Sequence, residues 1–388
     1  MRHMSSTRPA RGGEGVTQHA LLRRVVVSCP RPADVDTASH ENVTRRKIAE
    51  RLAALQDYDY AGDYEDAGSY QGPLYFVPGE TLTLAAAHAM GIRNERDLFG
   101  GVVPFPFVGA KSITHPLCDP HAAAPDGWSR EFSSLVGEDV LPGFAAVTLE
   151  DAQRGGQRLL ANGAVRVKPA LAIGGRGQTV VADPAALVAA LAKIAPEELR
   201  RYGVVVEQNL SDVTTYSVGQ VRVGDLVASY FGTQKLAVDH RGAEVYGGSD
   251  LTISRGGFDA LLTLHMDDDT RAAVMHARAY DSAASRCYPG FFASRRNYDI
   301  VRGRDAAGRA RCGVLEQSWR IGGASGAEVA ALEAFRAQPG LRAVRAECTE
   351  TYEVDAQIPR GATVYFNGVD SLVGFITKYT IVEPHVDA

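Results

Sequence analysis

Short apolar runs alternate with amphipathic stretches over the first hundred residues. Val25–Cys29 and Leu74–Pro78 are five-residue, mostly apolar runs beside prolines, which is typical of buried parallel strands. Between them, apolar residues spaced by three and four predict an amphipathic helix over 42–55. A second helix is predicted over 81–90. The tyrosine-containing stretch 57–72 is polar and is predicted to be a surface loop.

Residues 164–179 predict a strand, a glycine-rich loop and a second strand. Strand alternation sends Val165 and Val167 to one face and Lys168 to the other, beside the loop. Glycines allow backbone N–H groups to converge on phosphate oxygens, although an ordinary hairpin turn is the alternative. The stretch lacks the Gly-Lys-Ser/Thr of a P-loop and the spacing of a dinucleotide fingerprint. The loop residues are Gly174, Gly175, Arg176 and Gly177.

The following segment predicts further strands with polar ends. A buried strand at Gly203–Val206 places Glu207 at its end, where α/β proteins commonly bind ligands. Residues 216–233 alternate apolar and polar positions around a Gly-Asp turn and predict a hairpin, with Lys235 directly after it. Asp267–Asp269 could be read as a metal cluster, but a helix is predicted behind it, so an N-terminal cap is favoured.

A second hairpin carries paired carboxylates. Alternation along its second strand places Glu316, Ser318 and Arg320 on one face. If Asp299 occupies the facing position on the first strand, two carboxylates and an arginine converge. Mg²⁺ binds through carboxylates and phosphate oxygens, and arginine grips phosphoryl oxygens, so this set predicts a magnesium-nucleotide site. A surface salt bridge is the alternative.

The two ends of the chain are assigned from composition and pattern. Residues 1–20 are rich in Arg, Gly and Ser, lack an apolar segment and are predicted to be a disordered leader. Residues 346–388 predict β-strands. This tail could complete the main sheet, form a dimer contact or cover the site.

Composition narrows the class of protein. The chain has 388 residues, is 45% hydrophobic and 22% charged, and carries a formal net charge of −5, so it has no general basic field for nucleic acid. No apolar run approaches the length of a membrane span. Five scattered cysteines without a Cys-x-x-Cys pair favour reduced thiols in a cytoplasm over disulfides or a zinc site.

The ordered set of these features resembles the ATP-grasp superfamily. Lys168 with the glycine loop, Glu207 at a strand end, and Asp299 followed by Glu316-x-Ser318-x-Arg320 occur in that family's order over residues 105–345. The chain looks most similar to the biotin carboxylase-like branch and to an uncharacterised bacterial family within it.

The resemblance implies a mixed α/β architecture in three parts. These are a pre-ATP-grasp α/β domain at 21–105, an ATP-grasp domain of two α+β subdomains at 106–345 with its lid at about 165–210, and a β-rich C-terminal extension at 346–388.

The resemblance also implies roles for individual residues. The phosphate-binding and lid residues would be Lys111, Lys168, Gly174, Gly175, Arg176 and Gly177. Adenine and ribose would lie between Glu207 and Leu210. Lys235 would face the γ-phosphate, and Arg320 would bind the transferring phosphoryl group or acyl phosphate. Asp299 and Glu316 would hold magnesium, whereas Ser318 replaces the family's usual asparagine and leaves the coordination of a second metal in doubt.

The implied activity is that of an ADP-forming ligase. ATP with Mg²⁺, or with Mn²⁺ as the alternative, would phosphorylate a small-molecule carboxylate, and an amine, thiol or similar nucleophile would displace the phosphate. No covalent protein nucleophile is needed. Two alternatives stay open, namely a phosphotransferase without ligation and a nucleotide-binding regulator without catalysis. A homodimer is one option for assembly, and no membrane or nucleic-acid partner is expected.

Overall fold

The computed structural model of the chain describes residues 23–31, 36–171 and 177–384. The predicted leader at 1–20 lies outside these ranges. The strands are β1 (Val25–Cys29), β2 (Asp59–Asp63), β3 (Leu74–Pro78), β4 (Leu82–Thr83), β5 (Gly101–Val103), β6 (Gly143–Ala146), β7 (Val165–Pro169), β8 (Thr179–Val181), β9 (Val204–Gln208), β10 (Ser211–Val223), β11 (Leu226–Val238), β12 (Glu244–Arg255), β13 (Phe292–Ala293), β14 (Arg295–Arg304), β15 (Ala310–Ser318), β16 (Ala343–Thr351), β17 (Thr363–Asp370) and β18 (Gly374–Pro384). The α-helices are α1 (His40–Gln56), α2 (Leu84–Ala89), α3 (Arg130–Leu135), α4 (Leu149–Leu160), α5 (Pro184–Leu191), α6 (Pro196–Tyr202), α7 (Phe258–Leu261), α8 (Asp268–Cys287) and α9 (Ser325–Ala337).

The first unit is a three-stranded parallel sheet in the order β2–β1–β3, as the apolar runs predict. Strand β2 lies in the polar stretch that we predicted to be a loop. Its residues are exposed or half-buried, so they show no apolar alternation, and pairing with β1 defines the strand. A small sheet in the order β13–β5–β4 follows and joins this unit to β14.

The middle of the chain folds into a four-stranded antiparallel sheet in the order β6–β9–β7–β8. One face packs Val165, Val167, Val204 and Val206 against helices α4 and α5. Because alternate residues point to opposite faces, Lys168 and Glu207 lie together on the other face. The predicted separation of the valines from the lysine is therefore confirmed.

An eight-stranded antiparallel sheet in the order β15–β14–β10–β11–β12–β16–β18–β17 dominates the molecule. Helix α8 covers one face at the β10, β14 and β15 end. Helices α9 and α1 cover the other face. Helix α8 begins at an aspartate cap, because the carboxylate of Asp267 accepts a hydrogen bond from the backbone N–H of Thr270 at 2.7 Å. The cap predicted at this cluster is confirmed.

The C-terminal tail completes the large sheet. Strand β18 pairs with β16 and β17 forms the edge, which is the first of the three alternatives for the tail. One core joins Ile48 of α1, Leu332 of α9 and Tyr365 of β17. Arg51 of α1 also donates to Glu333 of α9 at 2.9 Å. The first unit and the tail are thus packed into one hydrophobic core with the large sheet.

Among the described residues, no helix is both long and apolar enough to cross a membrane.

Candidate nucleotide and metal site

Lys168 and Glu207 form a buried ion pair between β7 and β9. Both side chains are almost completely buried, and Glu207 also lies 3.0 Å from Nε2 of His115. Burial lowers the pKa of Lys168, and the charge of Glu207 only partly offsets this. Burial would raise the pKa of Glu207, but Lys168 and His115 outweigh it and lower the value to about 2. The predicted phosphate-binding lysine therefore has a carboxylate partner before any anion binds.

His115 is a site residue that the sequence analysis missed. Its ring lies so close to Gly143 of β6 that a Cβ there would meet ring atom Nδ1 at 2.6 Å. A glycine at this position is therefore what allows the ring to reach Glu207. A lone histidine before a proline carries no local pattern from which this role could be predicted.

Lys111 pairs with the other candidate site carboxylate. Its ammonium group lies 2.5 Å from Oε2 of Glu316. The segment before Lys111 is fixed by Gln317, whose side-chain amide donates to the backbone carbonyls of Val108 at 3.0 Å and Ala110 at 2.7 Å. Gln317 in turn accepts a hydrogen bond from Tyr280 of α8 at 2.9 Å. Glu316 and Gln317 point to opposite faces of β15, so one strand both bears a site carboxylate and anchors the lysine that binds it.

Lys111, Lys168 and Glu316 are electrostatic neighbours. Lys111 lowers the pKa of Lys168, whereas Glu316 raises it. The polar face of the four-stranded sheet and the β15 end of the large sheet therefore converge on one site.

Asp299 faces Glu316 in the register that the sequence analysis required. The two residues are paired across β14 and β15. Burial and the negative charge of Glu316 raise the pKa of Asp299 to about 6. Two amides surround Oδ1 of Asp299, because Gln234 donates to it at 2.8 Å and the amide nitrogen of Asn297 lies 2.9 Å from it.

Beneath these carboxylates lies a buried polar network. Arg295 binds Glu328 of α9 with Nη2 at 2.9 Å and Nε at 3.0 Å. Its remaining nitrogen, Nη1, donates to the carbonyl of Arg320 at 2.7 Å and to the carbonyl and hydroxyl of Ser318 at 3.0 and 3.2 Å. Burial alone would lower the pKa of Arg295, but Glu328 holds it above its ordinary value. The hydroxyl of Ser318 is therefore already engaged by a guanidinium group.

Arg320 lies just beyond the end of β15. One of its nitrogens donates to the carbonyl of Ile321 at 2.7 Å. Burial lowers the pKa of its guanidinium group, and Glu41 at the start of α1 opposes this. Arg320 is thus placed between the large sheet and the first unit.

Of the residues predicted to flank the adenine or to form the lid, the structure describes only some. Leu210, between β9 and β10, packs against Leu141 and Val301 and so connects the two sheets of the site. Gly177 has a φ of +72°, which favours glycine. Gly174, Gly175 and Arg176 lie outside the described residues.

The structure does not bring Lys235 to this site. Gln234 reaches Asp299, so the next residue along β11 points to the opposite face of the sheet. There, Lys235 pairs with Glu347 at 2.9 Å and Asp250 at 3.0 Å, and it lines a separate cavity of about 430 Å³. We therefore correct the placement implied by the resemblance and leave Lys235 out of the proposed site.

The donor set suits a divalent cation and a triphosphate. Hard cations such as Mg²⁺ prefer carboxylate and amide oxygens, and Asp299 and Glu316 face each other across β14 and β15. Burial and the charge of Glu316 both raise the pKa of Asp299, so a positive charge beside it would favour the ionised carboxylate. A second cluster, formed by Cys118, Asp119 and Asp151, is different, because Arg154 already pairs with both of its carboxylates.

Solved structures define the class to which this fold belongs. The chain is similar to a phosphoribosylamine–glycine ligase from Thermotoga maritima, with a TM-score of 0.51 and 12% identity over 93% of this chain and 92% of that one. It is also similar to a biotin carboxylase–beta-gamma-ATP complex from Campylobacter jejuni, with a TM-score of 0.50 and 11% identity over 94% of this chain and 88% of that one. The fold is that of the ATP-grasp enzymes, which confirms the predicted resemblance at the level of the fold.

The particular family follows from the sequence itself. Residues 27–380 match the family described as a protein of unknown function, DUF3182, and the chain belongs to that family. A search of curated proteins found no match.

Proposed function

We propose that the protein is an ATP- and magnesium-dependent ligase. It would activate a small-molecule carboxylate as an acyl phosphate, and an amine, thiol or similar nucleophile would displace the phosphate. The observation that carries this proposal is the convergence of two buried lysines with the facing carboxylates Asp299 and Glu316. The ATP-grasp fold supports it.

The chain's own residues would bind and align the nucleotide. Lys111 and Lys168 would exchange their carboxylate partners for phosphate oxygens, since a buried ammonium group needs a negative partner. Asp299 and Glu316 would hold Mg²⁺, which supplies positive charge to the triphosphate when bound. Phosphoryl transfer needs alignment and charge neutralisation more than covalent help, and these groups supply both.

Arg320 would orient the acceptor. Its planar guanidinium group can bind a carboxylate or acyl phosphate through two parallel hydrogen bonds. The charge of Glu316 acts on Arg320, so a carboxylate bound there would lie near the proposed metal site.

The test is ADP release from ATP and Mg²⁺ in the presence of pooled carboxylic acids, amino acids and amines. We expect a pool to stimulate the wild type and both Lys168→Ala and Glu316→Ala to lose at least about 100-fold in turnover. Lys193→Ala, an exposed lysine after α5, is the matched control and should retain turnover. A stable phosphorylated product without ligation would instead identify a phosphotransferase. Failure of the wild type to bind ATP would overturn the proposal.

A second candidate follows from Ser318. Because Arg295 donates to the Ser318 hydroxyl, this group is poorly placed to serve a second metal ion. A nucleotide-binding regulator would bind ATP without turnover on any substrate pool, and the same assay separates it from a ligase.

A further inference from the structure

The side chain of Asn297 lies between the candidate metal carboxylates and the buried network. Asn297 is two residues before Asp299 on β14, so the two side chains share a face of the sheet. Its amide nitrogen lies 2.9 Å from Oδ1 of Asp299, and its oxygen lies 2.9 Å from the hydroxyl of Tyr230. Asn297 is 6% exposed and Tyr230 is fully buried, so water cannot readily replace the contact between them.

Tyr230 has a single hydroxyl proton, and this limits the hydrogen bonds that it can make with the Asn297 amide. The Tyr230 hydroxyl also lies 2.6 Å from Oε1 of Glu328, which is ion-paired with Arg295. A contact this short to a carboxylate requires the hydroxyl to donate. A tyrosine has only one proton to give, so toward Asn297 its oxygen can only accept. The atom of Asn297 that best fits Tyr230 is therefore the amide nitrogen.

With protein groups alone, each orientation of the Asn297 amide places two hydrogen-bond acceptors against each other at one of its two contacts. With its nitrogen toward Asp299, the Asn297 oxygen faces the Tyr230 oxygen, and two acceptors meet at 2.9 Å. With its oxygen toward Asp299, the nitrogen donates to Tyr230, but two acceptors then meet at the carboxylate. Ser217, at 3.3 Å, fits either orientation because a hydroxyl both donates and accepts.

A cation held by both oxygens removes the second mismatch. Neighbouring oxygen ligands of an octahedral Mg²⁺ are separated by about 3 Å, given metal–oxygen distances near 2.1 Å. The observed 2.9 Å between Asn297 and Asp299 matches that separation. With a divalent cation between the two oxygens, Glu328, Tyr230, Asn297 and Asp299 all have suitable partners.

We propose that Asn297 is a metal ligand through its amide oxygen, and that Tyr230 and Glu328 are positioning residues that turn this oxygen toward the metal. This inference rests on the proposed function. It assigns the amide to the first strand of the hairpin, directly across from Ser318, whose hydroxyl accepts from Arg295.

The test measures Mn²⁺ affinity by electron paramagnetic resonance, with a non-hydrolysable ATP analogue present. It is made at about pH 8, where carboxylates are ionised, so that a proton does not compete with the cation. We expect Asn297→Ala to weaken Mn²⁺ binding by about tenfold or more, and Ser318→Ala to change it by less than about twofold. A folded Asn297→Ala protein with wild-type affinity would overturn the proposal.

Tyr230→Phe tests the positioning role without removing the ligand. It keeps the ring and removes the acceptor that holds the amide nitrogen, so we expect Mn²⁺ affinity to fall by about threefold or more at unchanged affinity for the nucleotide alone. Tyr298→Phe is the matched control, because Tyr298 is equally buried on the opposite face of β14. Unchanged affinity in Tyr230→Phe, or an equal loss in Tyr298→Phe, would contradict the positioning role.

Mn²⁺ binding by the wild type distinguishes failure of the proposed ligase site from failure of the Asn297 assignment. If it binds no Mn²⁺ in the presence of the analogue, the proposed ligase site itself fails. If it binds Mn²⁺ equally well with and without the Asn297 side chain, only the assignment of Asn297 fails.

Discussion

At the scale of single residues, the candidate site stores electrostatic strain. Asp299 and Glu316 face each other across two strands, and burial with the charge of Glu316 raises the pKa of Asp299. A raised carboxyl pKa means that the ionised form destabilises the folded protein. The penalty is present above about pH 6 and disappears as the pH falls toward the ordinary value of 3.8.

Asp299→Asn should therefore stabilise the metal-free protein while abolishing metal-dependent turnover. Raising the pKa from 3.8 to about 6 corresponds to about 3 kcal/mol, so we expect a gain of about 1–3 kcal/mol in the free energy of unfolding at about pH 7.5. The gain should shrink to nearly zero at about pH 4. Urea unfolding at both pH values measures this, and a variant less stable than wild type at the higher pH would contradict it.

Lys235 provides a second prediction at this scale. Its ion pairs with Glu347 and Asp250 are half-exposed and lie on the face of the sheet opposite to Asp299. Lys235→Ala should change kcat and the KM for ATP by less than about twofold and cost at most about 1 kcal/mol of stability. A large loss of turnover would restore the role that the family resemblance gives to this lysine.

At the scale of elements, β15 carries both a candidate site residue and a residue that anchors a neighbouring segment of the site. Gln317 holds the segment that carries Lys111, while Glu316 on the same strand binds that lysine. We expect Gln317→Leu to weaken ATP binding about tenfold, although Gln317 itself points away from the site. It should also destabilise the fold by about 2–4 kcal/mol, since two buried carbonyls and a hydroxyl lose their partner.

Calorimetry of ATP binding and urea unfolding measure these two effects. Gln220→Leu is the matched control, because Gln220 is half-buried on β10 of the same sheet and its side chain accepts from Ser229 at 3.3 Å. Unchanged ATP affinity in a folded Gln317→Leu protein would show that the anchor does not set the position of Lys111.

The site was predictable where strand alternation controls it. The separation of Lys168 from its flanking valines follows from a period of two. Alternation also places Glu316 and Ser318 on one face, whereas the facing of Asp299 and Glu316 was a condition that the register of β14 and β15 fulfils. His115 and Glu328 were not predictable, because each reaches its partner across a long stretch of sequence and through packing that leaves no local pattern. Asn297 lies between these cases, since alternation alone places it beside Asp299.

Lys235 and β2 show two further limits of sequence reasoning. The order of residues along the chain suggested Lys235, but the strand's alternation turns it away from the site. Strand β2 is polar and forms because β1 offers it an edge, so its own residues do not reveal it. The orientation of Lys235 and the formation of β2 both depend on which strands lie beside them, and only the sheet topology gives that information.

At the scale of the whole molecule, the predicted domain boundaries do not coincide with separate cores. Helix α1, helix α9 and the tail strands bury their apolar residues together.

We expect a chain ending at residue 345 to lose cooperative unfolding and near-ultraviolet circular dichroism, because β17, β18 and most of β16 are removed from the large sheet. Val369→Lys in the full chain, at a 78% exposed position on the edge strand, should leave both unchanged. A truncated protein with a sharp unfolding transition would show that the tail is dispensable.

The pairing of each lysine with a carboxylate has a consequence for the order of ligand binding. In the proposed site, Lys111 would release Glu316 on turning toward a triphosphate, and that carboxylate would be left beside Asp299 and the incoming negative charge. A cation arriving with the nucleotide would bind Glu316, so each ligand would remove the electrostatic cost of the other. Such coupling is reciprocal. The site should thus respond to nucleotide and metal as one cooperative unit, with little affinity for either one alone.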